Sequence, residues 1–267
     1  MYLLCRLKIM SRKNKILYII GLIIIFPIFL NSILEIYEKR EKIVKKLFNF
    51  QKGSLSEDQI NKNRIFWANE IKKGGYILLF RHAQREKWTD VTGFDAYELS
   101  NKLNAENETF SRATCLTNRG IEEAKLIGKI FKQEGILISE VISSPSCRAK
   151  QTAIYAFNKI DLISNSLLHH SAWHYEQRAQ VAKELKKLIN QIKIKNNHNV
   201  ILSGHNNTLI YAKEIVVDKN EIGSWKDLNR EEPGFLVLKK VDEKLIAKYK
   251  FNTFSDFVNS LIKFEIN

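Results

Sequence analysis

Three short apolar runs constrain the fold of this chain, because each is followed by arginine or histidine side chains. The side chains after the three runs are Arg81, His82 and Arg85, then Arg148, then His205. A short apolar run that ends at a turn is typical of a buried strand, and the carboxyl ends of parallel strands form the ligand crevice of open α/β sheets. We therefore expect these side chains, none of them acidic, to form a cationic site at one edge of a sheet.

The rest of the globular part alternates between strand-like and helix-like segments. Strands are predicted near residues 76–80, 139–143, 161–164 and 199–203, and helices near residues 118–133, 146–157, 173–194 and 208–216. Residues 235–238 and 245–249 predict an antiparallel hairpin, Thr117 is the expected N-cap of the helix at 118–133, and Gly135 is its expected end. The alternation predicts an α/β fold, a three-layer sandwich with a mostly parallel central sheet.

Four short motifs occur in a defined order along this part of the chain. They are Arg-His at 81–82, Leu-Thr-Asn-Arg-Gly at 116–120, Ser-Ser-Pro-Ser-Cys-Arg-Ala-Lys-Gln-Thr-Ala at 143–153 and Gly-His at 204–205. Together they resemble the histidine phosphatase superfamily, whose fold is phosphoglycerate-mutase-like, over about residues 70–255. Residues 203–213, with the apolar amino terminus, also resemble the subgroup that acts on phosphorylated lipopolysaccharide heptose.

The resemblance implies a phosphatase that works through a phosphohistidine intermediate. His82 would be the nucleophile, and water would then hydrolyse the phosphohistidine. The groups that would hold the phosphoryl oxygens and stabilise their charge are Arg81, Arg85, Arg148 and His205. Arg85 suits the branches of the superfamily that are mainly phosphatases. Because the site is cationic and the nucleophile is an imidazole, the resemblance implies no metal and no other cofactor.

The proton donor to the leaving group is where the sequence departs from the family pattern. Some members have Asp directly after the second histidine, where this chain has Asn206, which cannot give up a proton. Other members have a Glu some distance after the Ser-Ser-Pro motif, and the spacing of Glu176 after Arg148 fits. An exposed helix residue is the alternative interpretation of Glu176, and Asp90 is a second candidate. Without a strong acid, such a site favours good leaving groups.

Two other functions stay open from the sequence. A noncatalytic module that binds phosphoanions would keep the Arg and His side chains and lack the acid. The second function is that of a zinc hydrolase. His170 and His174 are four positions apart, so they could share one helix face and bind zinc. The alternative interpretation of this cluster, which includes His169, is a polar rim of the active site.

The amino-terminal part predicts a membrane anchor. Residues 16–34 carry no charge, and 19 residues of helix span about 28 Å, close to the thickness of a bilayer core. A basic tail at 1–15 precedes them, as in a signal anchor; a cleaved signal and a buried core helix are the alternatives. We expect a single-pass membrane protein with a charged stalk at 35–63 and a catalytic domain at 64–267 outside the cytoplasm, in the periplasm. A helix at 64–73 would lead into the first strand.

Composition limits the partners. The net charge is +14, but the lysines are spread along the whole chain and no nucleic-acid-binding motif is found, so we expect no nucleic-acid partner. A basic surface favours anionic substrates, and we expect a phosphorylated small molecule or an envelope glycan or lipid. Nothing in the sequence sets the oligomeric state. Cys115 and Cys147 flank two motifs and would form either a disulfide or two buried thiols.

Residues 86–114 form an insertion between the first strand and the first helix. An irregular segment of this length is usually functional or disordered. Its aromatic residues, Trp88, Phe94 and Tyr97, favour an ordered lid or substrate wall.

Overall fold

The computed structural model of the protein describes residues 57–206, 208–209, 230–242 and 244–262. These residues form a mixed α/β fold around one six-stranded sheet. The predicted tail and anchor at 1–34 and most of the helix predicted at 208–216 lie outside the described residues. Within the described ranges, no helix is long and apolar enough to cross a membrane.

The elements follow one another in the alternating order that the sequence predicts. The strands are β1 (Ile77–Arg81), β2 (Leu137–Ser143), β3 (Leu162–Ile163), β4 (His198–Gly204), β5 (Phe235–Val241) and β6 (Lys244–Phe251). The helices are α1 (Glu57–Lys73), α2 (Val91–Asn101), α3 (Ser111–Thr114), α4 (Asn118–Gln133), α5 (Cys147–Phe157), α6 (Arg178–Gln191) and α7 (Phe254–Ile262). Short 3₁₀ turns lie at Ala105–Asn107, Asn165–Leu167, His170–Ala172 and Tyr175–Gln177.

The sheet has the strand order β3-β2-β4-β1-β5-β6. Strands β3, β2, β4 and β1 run parallel, and β5 runs antiparallel to both β1 and β6. At the carboxyl ends of the central strands, Arg81 is in register with Gly204. Because β5 is antiparallel, its first residue, Phe235, lies at this same edge opposite Phe80. The ends of β1, β2 and β4 and the segment before β5 therefore meet along one edge of the sheet.

Apolar side chains cover both faces of the sheet. Along β1, Ile77 and Leu79 belong to one buried cluster together with Leu185 of α6. Leu78 and Phe80 belong to a second cluster, with side chains from α1, α4, α5 and α7. Successive side chains of a strand point to opposite faces, so β1 is buried on both sides, as parallel strands usually are. The predicted mostly parallel sheet with helices on both faces is confirmed.

Two helices differ in their bounds from the prediction. Helix α1 begins at Glu57 rather than at residue 64, with Glu57 and Asp58 in its first turn, where acidic side chains favour helix formation. Helix α6 begins at Arg178 rather than at residue 173, because the preceding residues form a separate 3₁₀ turn. In that turn the Gln177 amide donates to the His174 carbonyl at 3.0 Å, and the His174 amide donates to Gln177 Oε1 at 3.1 Å.

The insertion is ordered, as predicted. It contains α2, a 3₁₀ turn and α3, and the ring of Phe94 stacks on that of Phe110 with centroids 5.4 Å apart. Of the two alternatives for the cysteines, the structure has the disulfide: Cys115, just after α3, is bonded to Cys147, the first residue of α5. The insertion is thus covalently joined to the helix that carries Arg148.

Candidate active site

His82 directly follows β1, and its ring is held in one tautomer. Its Nδ1 lies 2.8 Å from the carbonyl oxygen of Ala83. Because a carbonyl oxygen only accepts, Nδ1 carries the proton and Nε2 keeps its lone pair. Burial of the side chain, followed by the nearby Arg148 guanidinium, holds the pKa of His82 well below its ordinary value. The imidazole is therefore neutral at pH 7, the state in which Nε2 is a nucleophile.

His205 follows the neighbouring strand β4 and lies beside His82. The centroids of the two rings are 5.4 Å apart. His205 Nδ1 accepts from Arg148 Nη2 at 3.4 Å, so its proton is on Nε2, which lies 3.2 Å from each of the hydroxyl oxygens of Ser144 and Ser146. Burial and Arg148 lower the pKa of His205 as well. The Ser-Ser-Pro motif thus orients the second histidine through its serines.

Arg148 lies in the first turn of α5 and is paired with a carboxylate that the sequence did not indicate. Its Nη1 and Nη2 donate to Asp95 Oδ1 and Oδ2 at 2.7 and 2.6 Å. Asp95 belongs to α2 of the insertion, and both side chains are almost completely buried. Bidentate pairing of this kind restricts the guanidinium to one orientation.

Arg81 is paired with a second unexpected carboxylate, that of Glu232. Arg81 Nη2 donates to Glu232 Oε1 at 2.5 Å, and Arg81 Nη1 donates to the carbonyl of Arg230 at 2.6 Å. Glu232 Oε1 also lies 4.0 Å from His82 Nε2. The cluster therefore contains carboxylates other than the Glu176 and Asp90 named from the sequence. The predicted strand ends contain no carboxylate, but the insertion and the segment before β5 each bring one in.

Two N–H donors of the cluster are buried with no hydrogen-bond partner among the described residues: Nε of Arg85 and Nε of Arg148. Arg85 also donates from Nη1 to the carbonyl of Glu86 at 2.6 Å. Burial, followed by Arg148, lowers the pKa of Arg85. Buried donors in folded proteins nearly always have an acceptor, so these two groups are available to an anionic ligand.

The loop that carries His82 is held by side chains from the other motifs. Thr152 Oγ1 accepts from the Ala83 amide at 2.9 Å. Thr117 Oγ1 accepts from the Gly120 amide at 3.1 Å, which confirms the predicted N-cap of α4, and Gly135 follows that helix with a φ of +64°. A Cβ on Gly120 would lie 2.0 Å from the Gln84 carbonyl oxygen, so a residue without a side chain lets α4 approach this loop.

The candidate acids named from the sequence do not join the cluster. Glu176 lies exposed in the 3₁₀ turn before α6, and Asp90 lies exposed at the start of α2. Neither side chain forms a hydrogen bond or ion pair with the cluster in the part of the chain that the structure describes. Asn206 has a structural partner instead: its side chain accepts from the Arg230 amide and donates to the Arg230 carbonyl, both at 2.9 Å.

The histidines of residues 169–174 divide between the site and the surface. The His169 ring lies 5.8 Å from that of His205, so it borders the cluster. Burial, followed by His170, lowers the pKa of His169 to about 3. His174 is exposed and precedes the 3₁₀ turn. No group of three or more His, Cys, Asp or Glu side chains within the described ranges is arranged to hold a metal ion.

A cavity of about 200 Å³ adjoins the cluster on the side of the insertion. Asp95, which binds Arg148, and Ser146, which contacts His205, both line it. The remaining lining residues are Glu98, Leu99, Lys102, Leu103, Pro145, Lys150 and Ile163. The insertion therefore forms one wall of a cavity next to the candidate phosphate site, and its role as a lid or substrate wall stays a prediction.

Comparison with known proteins gives matches to phosphatases. No protein-family model matches the chain. It is 32% identical over 117 residues, 44% of its length, to the mitochondrial serine/threonine-protein phosphatase Pgam5 of Drosophila willistoni, and 30% identical over 127 residues, 48% of its length, to the same protein of Drosophila virilis. These matches span 34% and 37% of those proteins, about a third of their length.

Among solved structures, the protein histidine phosphatase SixA in complex with tungstate is similar, with a TM-score of 0.41 and 12% identity over 66% of this chain and 96% of SixA. The ordered motifs, and the strand order that brings them together, confirm the resemblance of this chain to the histidine phosphatase superfamily.

Proposed function

We propose that this protein is a phosphomonoesterase that forms a phosphohistidine on His82. The observation that carries the proposal is the fixed tautomer of His82: its Nδ1 proton is held by the Ala83 carbonyl at 2.8 Å, so Nε2 is free to attack phosphorus. The low pKa of His82 keeps this atom unprotonated at neutral pH. The carboxyl ends of three parallel strands bring the other polar groups around it.

The proposed phosphate site is formed by Arg81, Arg85, Arg148 and His205. Guanidinium groups bind phosphoryl oxygens in a bidentate manner and stabilise the charge that develops on them during transfer. The buried Nε groups of Arg85 and Arg148 supply donors that no protein group uses within the described residues. A phosphoryl dianion would compete with Asp95 and Glu232 for Arg148 and Arg81, so substrate binding exchanges one anion for another at each guanidinium.

The proposed substrate is a phosphomonoester on a small molecule or on an envelope glycan or lipid. The cavity beside Asp95 and Ser146 supports a leaving group larger than water, with apolar walls from Leu99, Leu103 and Pro145. Phosphorylated lipopolysaccharide heptose is the specific candidate that the local resemblance of residues 203–213 favours.

The proposal includes a membrane location, with residues 16–34 as an uncleaved anchor and the catalytic domain in the periplasm. The uncharged run and the basic residues before it support the anchor. The Cys115–Cys147 disulfide supports an oxidising compartment. The test is fractionation followed by alkaline extraction and protease treatment of intact cells. We expect the protein in the membrane fraction with its catalytic domain accessible from outside the cytoplasmic membrane; recovery from the cytoplasm would contradict the location.

The test of the proposed activity is phosphate release from 4-nitrophenyl phosphate by the full chain in the presence of EDTA, compared with His82→Ala. We expect turnover in the wild-type protein, loss of at least about 10³-fold in the variant, and an acid-labile phosphate label on the wild-type protein alone. Phosphate binding without turnover or label would favour the noncatalytic module. Activity that EDTA abolishes would favour the zinc hydrolase.

A further inference from the structure

We infer that Glu232 is the group that donates the proton to the leaving oxygen and then takes a proton from water. This inference rests on the proposed function, because it assigns the acid and base of the same phosphohistidine reaction. Neither Glu176 nor Asp90, the candidates named from the sequence, forms a hydrogen bond or ion pair with the cluster in the described part of the chain.

The position of Glu232 suits proton transfer at the reacting phosphorus. Its Oε1 lies 4.0 Å from His82 Nε2 and 2.5 Å from Arg81 Nη2. A reacting atom in a near-attack geometry lies roughly 3–3.5 Å from its nucleophile. A phosphorus at that distance from Nε2 brings its oxygens within hydrogen-bonding reach of Glu232. The side chain is 13% exposed, so it can still exchange protons with solvent.

The other acidic and amide groups near the site have fixed partners. The Asp95 carboxylate is fully buried and binds both terminal nitrogens of Arg148. The Asn206 amide is held by both backbone groups of Arg230 and cannot release a proton at neutral pH. Among the described residues, Glu232 is thus the carboxylate that lies next to the nucleophile and is also open to solvent.

The backbone around Glu232 holds it at this edge of the sheet. The Arg81 amide donates to the Gly234 carbonyl at 2.9 Å, and the Glu231 amide donates to the Asn252 carbonyl at 2.9 Å. A Cβ on Gly234 would lie 2.2 Å from the Asn252 carbonyl oxygen, so this segment can approach β6 closely only with glycine there. The carboxylate therefore projects from an anchored segment, as proton transfer in a defined geometry requires.

The two steps balance as follows. The lone pair of His82 Nε2 forms a bond to phosphorus while the phosphorus–oxygen ester bond breaks, and the leaving oxygen takes the proton of the Glu232 carboxylic acid. The products are an alcohol, phosphohistidine and the Glu232 carboxylate. In the second step this carboxylate takes a proton from water as the water oxygen bonds to phosphorus. The phosphorus–nitrogen bond breaks, its electron pair returns to Nε2, and inorganic phosphate leaves with Glu232 again protonated.

Substrate binding changes the partners of Arg81 and Glu232. A phosphoryl dianion competes for Arg81, which pairs with the carboxylate in the free protein. The same ion pair that stabilises the carboxylate before binding is therefore weakened when the substrate arrives.

The test uses the full-length Glu232→Gln protein with a series of aryl phosphates whose leaving phenols range from acidic to basic. Glutamine keeps the size of the side chain and can accept from Arg81, but it cannot transfer a proton. We expect a loss in kcat/KM that grows from less than about 10-fold for 4-nitrophenyl phosphate to about 10²–10⁴-fold for phenyl phosphate, because only a basic leaving group needs the acid. With the good leaving group, labelled phosphohistidine should accumulate, because its hydrolysis lacks the base.

Glu231→Gln is the matched control, since it changes the exposed neighbouring glutamate in the same way. An equal loss across all leaving groups in Glu232→Gln would overturn the inference and leave Glu232 as a residue that positions Arg81. A leaving-group-dependent loss in Glu176→Gln instead would assign the acid to Glu176 and overturn it as well. Absence of phosphohistidine and turnover in the wild-type protein is a different result, because it refutes the proposed function itself.

Discussion

The carboxylate of Asp95 and the guanidinium of Arg148 form a bidentate ion pair with distances of 2.6 and 2.7 Å, and both side chains are buried. The pair connects the insertion to the helix that carries the phosphate-binding arginine. Asp95 is thus the counterion that an incoming phosphoryl group would meet at Arg148. Stability and ligand binding should therefore be coupled at this position.

Replacing Asp95 with Asn should destabilise the free protein and strengthen its response to phosphate. Loss of one partner of a buried ion pair leaves an uncompensated charge and costs about 3–5 kcal/mol. Inorganic phosphate at Arg148 should recover part of that loss, since a ligand that binds the folded state stabilises it. The measurement is chemical unfolding with and without phosphate. Asp90→Asn, at the exposed start of the same helix, is the control and should change stability by less than about 0.5 kcal/mol; an equal phosphate effect in all three proteins would refute the coupling.

Replacing Arg85 with Gln should lower kcat/KM without unfolding the protein. The side chain is half-buried and its Nε has no partner among the described residues, so its removal breaks few internal contacts. A hydrogen bond to a charged group contributes about 1.5–3 kcal/mol, which corresponds to a loss of roughly 10- to 150-fold. The assay is aryl phosphate hydrolysis, with the thermal unfolding midpoint as the check on folding. Arg112→Gln, which removes an exposed arginine paired with Glu86, should retain activity; equal rates in both variants would remove Arg85 from the phosphate site.

The free energy of unfolding should decrease as the pH falls from 7 to 5. The pKa values of His82, His205 and His169 are lowered in the folded protein, chiefly by burial. Below the ordinary histidine pKa of about 6.5, the unfolded chain therefore binds protons that the folded protein does not. Each such histidine lowers the free energy of unfolding by up to about 1.4 kcal/mol for each pH unit of acidification. The window from pH 7 to pH 5 lies above the range in which carboxylates titrate. Denaturant unfolding at several pH values measures how steeply the free energy of unfolding falls with pH, and His169→Gln should make that dependence weaker. A free energy of unfolding that does not change with pH would show that the buried histidines bind protons in the folded protein.

Removal of the disulfide should destabilise the protein without changing the leaving-group dependence of its activity. Cys115 and Cys147 are separated by 32 positions, and a crosslink of that length restricts the unfolded chain by about 3–4 kcal/mol in the chain-entropy treatment. The measurement is unfolding of the wild-type protein with and without reductant, beside Cys115→Ser/Cys147→Ser. The double variant should have the same free energy of unfolding as the reduced wild-type protein, and adding reductant should not change it. A decrease in the stability of the double variant on adding reductant would refute the assignment of this stabilisation to the Cys115–Cys147 disulfide.

The amino-acid sequence alone predicted most of the strands and helices and the core of the candidate site. The apolar runs before Arg81 and His205 are long enough for buried strands only, and the alternation with helical segments required a mostly parallel sheet. In such a sheet the carboxyl ends of neighbouring strands lie at one edge, so the sequence predicted that His82, Arg148 and His205 lie together. The tertiary structure confirms this because β1, β4 and β2 are neighbours.

Only the tertiary structure decided which carboxylates enter the site. Glu176 has a spacing that fits the family pattern, but the chain there forms a separate 3₁₀ turn and leaves its side chain exposed. Asp95 comes from an insertion whose path no periodicity predicts, and Glu232 reaches the site because β5 is antiparallel and starts where β1 ends. Spacing along the chain reports only local geometry, whereas the packing of distant segments brings these two carboxylates to Arg148 and Arg81.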